Sequence, residues 1–319
     1  MNKIAYITLL IVLVGLGTFK SKFLDQALSK SDSLIANHLH NNDDIFRSSL
    51  PTLWIHLDRV PNARHWLSWG GRQTNFVNLP YLNLCVKTII DRCGESFNIA
   101  LIDDASFHKL IPDWNIDLSK VSARPKDNLR SLALCKVLHN YGGLLVPSSF
   151  VCLRNLKDMF YRTTGNGKCV AAVLPVKSFS GSGQEMSPSL KFLGCEKHCQ
   201  GMGRICRHLE LLCSKSSWSA LDFVRDAAEM LSNAARTGHL NLIEPEFTGV
   251  RDKHGRQIYL SRLMSDSTIY LHERSLGLYV PRNELVARLE YGWFCRMDAG
   301  QVMESKTNIG KYLLVASAL

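Results

Sequence analysis

Residues 127–150 read DNLRSLALCKVLHNYGGLLVPSSF, and the fold turns on how they are read. Asp127 is a residue that caps helix N-termini, and Gly142–Gly143 is a pair that stops helices. Between them Asp127, Arg130, Leu134, Leu138 and Tyr141 recur at helical spacing along one face. The apolar LLVP after the glycines reads as a short buried strand. A helix that delivers the chain directly into a buried strand is half of a strand–helix–strand unit. A charged pair at the start of an otherwise apolar face reads either as a cap with an i,i+3 ion pair or as a ligand contact.

The flanking sequence extends the pattern. PTLWIHL, from Pro51, is a β-rich apolar run after a proline and reads as a strand. NLPYLNLCVKTIIDRCG has helical spacing through Leu82, Val86 and Ile89/Ile90 and stops at Gly94. FNIALIDD is a second strand, ending in Asp103 and Asp104, and SFHKLIPDW a short helix ending at Pro112. LRNLKDMFY, after the opening stretch, is helical again. The alternation predicts an α/β domain with a mostly parallel central sheet. Ligands of such sheets sit beyond the carboxyl ends of the strands, which brings Asp103, Asp104, Pro147, Ser148 and Ser149 to the candidate site. Further on, VKSFSGSGQEMSPSL (176–190) reads as a loop. SALDFVRDAAEMLSNAA reads as a helix with Ser219 and Asp222 as a capping box. The C-terminal third mixes short strands and helices and is expected to pack on the same core; Trp293 and Phe294 read as core aromatics there.

The 319 residues are enough for one large or two small domains. A net charge of +10 suits anionic partners such as nucleotides, phosphates or anionic lipid. Zinc-finger spacing, RNP-like runs and dense Lys/Arg blocks are all missing, so no nucleic-acid partner is expected. Ile4–Phe19, IAYITLLIVLVGLGTF, carries no charge and spans roughly 24 Å as a helix, slightly short of a bilayer core. Lys3, Lys20 and Lys22 can snorkel at its ends. The expected organisation is a membrane anchor over 1–22, a polar stem over 23–50 and an α/β domain over 51–319, that is, a single-pass membrane protein. A signal peptide and a buried element are the rival readings, although GTFKSKF offers a poor cleavage site. Gly15-Leu16-Gly17 is no dinucleotide loop, because Lys20 stands where the third glycine belongs.

DNLRSLALCKVLHNYGG resembles the SDxxRxxLLYxYGG segment of glycosyltransferases in the capsular-polysaccharide-synthesis and α-mannosyltransferase-like group. LPTLWIHL resembles their opening IPKxIWxxW strand. NLCVKTIIDRCGESFNIALIDDASFHKLIP resembles their CIxSWxxxNPxYExxLxDDxxxxxxI segment. The three pieces fall in the family's order over about residues 50–157. The resemblance implies a GT-A-like fold, a nucleotide-sugar donor, a glycan or polysaccharide acceptor, and a Mn²⁺ or Mg²⁺ ion that neutralises the leaving diphosphate. Asp127 and Arg130 match its Asp and Arg, and Tyr141, Gly142 and Gly143 match its YGG. Its metal-binding D-x-D falls on Pro147, Ser148 and Ser149. Hydroxyls replace hard anionic ligands poorly, so the family's metal site is absent.

Three substitutes are open. Asp103 or Asp104 could hold a metal from the neighbouring strand end. Arg124, Lys126 and Arg154 could meet the diphosphate directly. Glu244 and Glu246 could supply carboxylates. CEKHCQGMGRICRH, with Cys195, His198, Cys199, Cys206 and His208, reads as a zinc site, a disulfide or free thiols. Two functional readings stand. One is a membrane-anchored, metal-independent glycosyltransferase in which Asp127 positions donor sugar or ribose and Arg130 orients Asp127 or meets phosphate. The other is a non-catalytic relative that keeps the fold for binding or scaffolding.

Overall fold

The apolar run after Pro51 forms β1 (Thr52–His56), with all but His56 buried. It lies between β2 (Asn98–Ile102) and β3 (Gly143–Leu145), parallel to both. The computed structural model describes residues 49–57, 79–177, 184–214 and 220–318. The sheet continues through β6 (Gln184–Cys195), β5 (Cys169–Lys177) and β7 (Leu240–Ile243), in the order β2-β1-β3-β6-β5-β7. β6 runs antiparallel to both β3 and β5, while β5 and β7 are parallel. All strands but β6 therefore point one way, and the fold is mixed α/β with a mostly parallel central sheet. β4 (Phe150–Cys152) pairs with β8 (Gly277–Tyr279) in a separate ribbon.

Strand periodicity divides the interior into two layers. Leu53, Ile55, Leu144 and Val170 face one side, with Val86 and Ile89 of α1 (Pro80–Cys93). Trp54, Leu145 and Ala171 face the other, with α3 (Ala123–Tyr141), α5 (Gln200–Ser214) and α6 (Ala220–Arg236). α2 (Phe107–Leu110) and α4 (Lys157–Thr164) are shorter connectors. Pro80 at the first turn and Gly94 just past the last bound α1, as the sequence predicts.

Three expectations are corrected. α3 begins a turn before Asp127, with Ser122 at its N-cap position; Pro125 is tolerated in the first turn, where backbone N–H groups have no partner in any case. Asp127 is thus a side chain on the helix, not its cap. The stretch 176–190 is largely strand: β5 runs to Lys177 and β6 starts at Gln184. Its serines and glycines read as a loop, and its one proline, Pro188, is tolerated in β6 because it pairs with Val173 past the register shift, where β5 has left β7. The C-terminal third joins the sheet core through Tyr279, with Leu276 packed against it, but most of it packs elsewhere. It builds a third cluster in which Tyr81 and Leu84 on the outer face of α1 meet Val151, Leu278 and Phe294. Ile309 and Leu313 of α10 (Asn308–Ala318) complete that cluster. Between β7 and α10 lie α7 (Leu260–Met264), α8 (Arg282–Ala287) and α9 (Ala299–Glu304).

The expected anchor, most of the stem and Ser219 lie outside the described residues. Among the described residues no helix is long and apolar enough to cross a membrane.

Candidate functional site

The carboxyl ends of β1 and β3 open into a cavity of about 410 Å³. α3 contributes Asp127, Arg130, Ser131 and Leu134; the turn after β3 contributes Pro147, Ser148 and Ser149. β6 contributes Pro188 to Lys191, α6 contributes Phe223, Val224, Ala227 and Ala228, and α8 contributes Arg282 and Asn283. His56, at the end of β1, closes the floor. One wall is apolar and the other carries charge, which is how pockets for small polar ligands are built.

A network of charges fixes the polar wall. Arg130 donates from Nε to Asp104 Oδ1 and from Nη2 to Asp104 Oδ2, both at 2.7 Å. Its Nη1 reaches Asp127 Oδ1 at 2.9 Å. Asp104 also accepts from His56 Nε2 at 2.9 Å. An ionised carboxylate only accepts, so the His56 proton lies on Nε2. The imidazole stacks on Phe107, with centroids 5.7 Å apart. Burial works to raise the Asp104 carboxyl, but the hydrogen bonds and charges of Arg130 and His56 outweigh it and hold the group well below the usual carboxylate range. Asp127 is the outer member of the chain, 66% exposed at its side chain and facing the cavity.

Asp127, Arg130, Ser148 and Ser149 are thus brought together. Asp104 stands behind them as the anchor of Arg130. Asp103 is turned away: it caps the 3₁₀ turn 104–106, accepting from Ser106 N at 3.0 Å and from Ser106 Oγ at 2.7 Å. Tyr141, Gly142 and Gly143 lie at the opposite end of α3, against a second cavity of about 350 Å³. Tyr141 donates its hydroxyl to Leu110 O at 2.9 Å, and Trp54 Nε1 donates to Gly142 O at 2.9 Å. Gly142 and Gly143 have φ of 71° and 104°. A Cβ on Gly143 would stand 2.1 Å from Thr52 O. These glycines let β3 lie against β1, and they do so away from the larger cavity.

The residues present do not fit the divalent ion that the resemblance implies. Ser149 is buried and gives its hydroxyl to Val280 O at 2.7 Å. Both oxygens of Asp104 are taken by Arg130, and Asp103 serves its own turn. Glu244 and Glu246 do not line the cavity; Glu246 lies 3.5 Å from Arg251. Among the described residues no cluster of three His, Cys, Asp or Glu could hold a metal. Of the suggested basic substitutes, Lys126 and Arg154 do not line the cavity, and Arg154 donates to Glu273 O instead. Besides Arg130, its cations are Lys191 and Arg282, which sequence reading missed along with His56 and Phe223. Lys191 and Arg282 lie on elements read as a loop and as an undivided C-terminal region, so no periodicity pointed to them.

No protein-family model matches the sequence. No curated protein matches it as a relative. Among solved structures, PaToxG Glycosyltransferase superposes with a TM-score of 0.34 and 10% identity, covering 69% of this chain and 78% of that one.

Proposed function

We propose that the protein is a membrane-anchored glycosyltransferase-like enzyme that binds a nucleotide-sugar donor in the 410 Å³ cavity and transfers its sugar to a glycan acceptor without a divalent ion. Ile4–Phe19 is its single-pass anchor in this reading. The observation that carries it is one cavity lined by both an exposed carboxylate, Asp127, and two cations, Lys191 and Arg282. The two cations take the donor diphosphate, and their charge offsets what develops on the leaving group. Asp127, aimed by Arg130, meets the sugar or ribose hydroxyls. Phe223 and the alanines of α6 offer an apolar face to the base or to the sugar ring.

The second reading, binding without transfer, is favoured by one observation. Ser149, at a position where the resembling enzymes hold a metal ligand, has its hydroxyl committed to Val280 O. Calorimetric titration of the full chain in mild detergent with nucleoside diphosphates and nucleotide sugars, in Mn²⁺ and in EDTA, tests both. The enzyme reading expects donor binding that survives EDTA and is lost in Asp127→Ala, with release of sugar or transfer on prolonged incubation. Binding with no turnover on any acceptor supports the second reading. Absence of binding by every donor sinks both.

A further inference from the structure

Three thiols meet on the same face of the sheet as α3, at the end away from the 410 Å³ cavity. Cys169 opens β5, Cys195 closes β6 and Cys199 immediately precedes α5. Cys169 Sγ and Cys199 Sγ are 3.3 Å apart, though thirty positions separate them in sequence. Cys195 lies beside the pair and donates its one S–H to Leu138 O at 3.4 Å. All ten cysteines of the described residues are free thiols, and nine of them are buried. Gly201, in the first turn of α5, lets the helix settle on the pair: a Cβ there would lie 3.0 Å from Cys169 Sγ and 3.6 Å from Cys199 Sγ.

We propose that Cys199 is a peroxide-reactive cysteine and that Cys169 is its resolving thiol, so that oxidation links β5 to the start of α5 by a Cys169–Cys199 disulfide. Around Cys199 Sγ stand the thiols of Cys169, 3.3 Å away, and of Cys195, then the backbone N–H groups of Met202 and Gly201 at the helix N-terminus. In that order they hold its thiol well below the ordinary range, against the opposing effect of burial. The Gly167 carbonyl, 2.9 Å away, accepts a hydrogen bond from the sulfur when it is protonated. Cys195 works to lower the Cys169 thiol, but Cys199 and burial outweigh it and push that thiol up; Cys195 is pushed up by its two neighbouring thiols and by burial.

The chemistry balances with hydrogen peroxide as the oxidant. The Cys199 thiolate attacks one peroxide oxygen; an S–O bond forms, the O–O bond breaks and hydroxide leaves, taking up a proton as water. Cys169 then attacks the sulfenic sulfur; an S–S bond forms, the S–O bond breaks and a second water departs with the Cys169 proton. Two thiols lose two electrons, and one peroxide becomes two waters.

The test treats the reduced full chain with hydrogen peroxide, blocks the remaining thiols, and maps cross-linked peptides by mass spectrometry. A Cys169–Cys199 link is expected. In Cys169→Ser, dimedone should trap a sulfenic acid at Cys199 at least tenfold faster than at Cys213. That comparison separates chemistry from access, because Cys213 is the most exposed cysteine and its thiol is pushed up to about 11 by burial and by Glu210. Labelling that follows exposure, with Cys213 first, overturns the proposal. A link between Cys195 and Cys199 overturns the assignment of Cys169. Cys199→Ser keeps the shape of the site and should lose the fast labelling; if the fast phase persists, the nucleophile is another thiol.

Discussion

Arg130 holds Asp104 by two parallel hydrogen bonds of 2.7 Å each, and with its remaining nitrogen it holds Asp127 at 2.9 Å. One guanidinium therefore ties the carboxyl end of β2 to α3 and aims a second carboxylate into the cavity. The geometry is the planar fork that only arginine provides. Arg130→Lys should keep the charge and lose the arrangement. Removing the fork with Arg130→Met leaves Asp104, 28% exposed, with His56 as its remaining side-chain partner. A loss of about 2 kcal/mol in unfolding free energy is expected, read from the urea midpoint at constant slope. Asp127→Ala leaves the fork to Asp104 intact and should change stability by less than about 0.5 kcal/mol while abolishing donor binding.

Much of this was legible in the sequence, and the limits have physical causes. The sheet direction, α1, and the order of β1, β2 and β3 followed from periodicity and from glycine and proline punctuation. Asp127 and Arg130 were found because helical spacing puts them on one face. Asp104 was named as a carboxylate at a strand end, but its partner could not be read: 26 residues separate it from Arg130, and only the parallel pairing of β1 with β2 and β3 closes the gap. Tyr141–Gly143 was placed correctly in chain order and at the other end of α3 in space, since a helix of 19 residues is about 28 Å long. Lys191 could not be found at all, because it directly follows a stretch whose serines and glycines imitate a loop.

Lys191 is exposed, so removing it should cost little stability. As one of two cations facing the proposed diphosphate, it should matter for affinity. Lys191→Ala is expected to weaken nucleoside diphosphate binding about tenfold, or about 1.4 kcal/mol, and to flatten its salt dependence. Nucleoside without phosphate should bind both proteins alike. Calorimetry at two ionic strengths reads both effects, and an unchanged affinity would move the diphosphate elsewhere in the cavity.

Asp252 offers a stability test independent of the site. It is 1% exposed at its side chain and accepts from His254 N and Arg256 N at 2.9 and 3.0 Å, and from Arg256 Nε and Arg262 Nη1 at 2.9 and 3.2 Å. Burial works to raise its carboxyl; the hydrogen bonds, from Arg256 above all, outweigh it and leave it well below the usual range. A depressed folded value means that the stabilisation is complete above the unfolded value of about 3.9 and is lost as pH falls through the folded one. Wild type should therefore exceed Asp252→Asn most at pH 6, and the gap in urea midpoint should narrow at pH 2.5. Donor affinity at pH 7 should be the same in both.

Ser149→Asp restores a carboxylate where the resembling enzymes place a metal ligand. The side chain would enter a buried site facing the Val280 carbonyl rather than open solvent. The expected result is a loss of about 3 kcal/mol in stability, from a buried charge beside an acceptor, with no gain in Mn²⁺ affinity. Ser149→Ala removes one buried hydrogen bond and should cost about 1–2 kcal/mol. Manganese titration of the aspartate variant decides the matter: tight binding would mean that the metal site is one substitution away and that the turn after β3 can reorganise to form it.

The glycine pair separates a structural role from a donor-binding one. Gly143 has φ of 104°, and a Cβ on it would stand 2.1 Å from Thr52 O, a backbone atom of β1 that cannot swing aside. Gly143→Ala should therefore cost about 3 kcal/mol or more, from backbone strain and the clash together. Gly167 has φ of 70° with open space where its Cβ would go, so Gly167→Ala carries the conformational cost alone, about 1 kcal/mol. The comparison holds left-handed backbone constant and varies only the close approach. If Gly143→Ala folds at low temperature, its donor affinity should match wild type, because the residue borders the second cavity and not the one that holds Asp127. A variant that is stable but fails to bind donor would instead assign the glycine turn to the ligand, and would shift the site to the cavity beside Trp54.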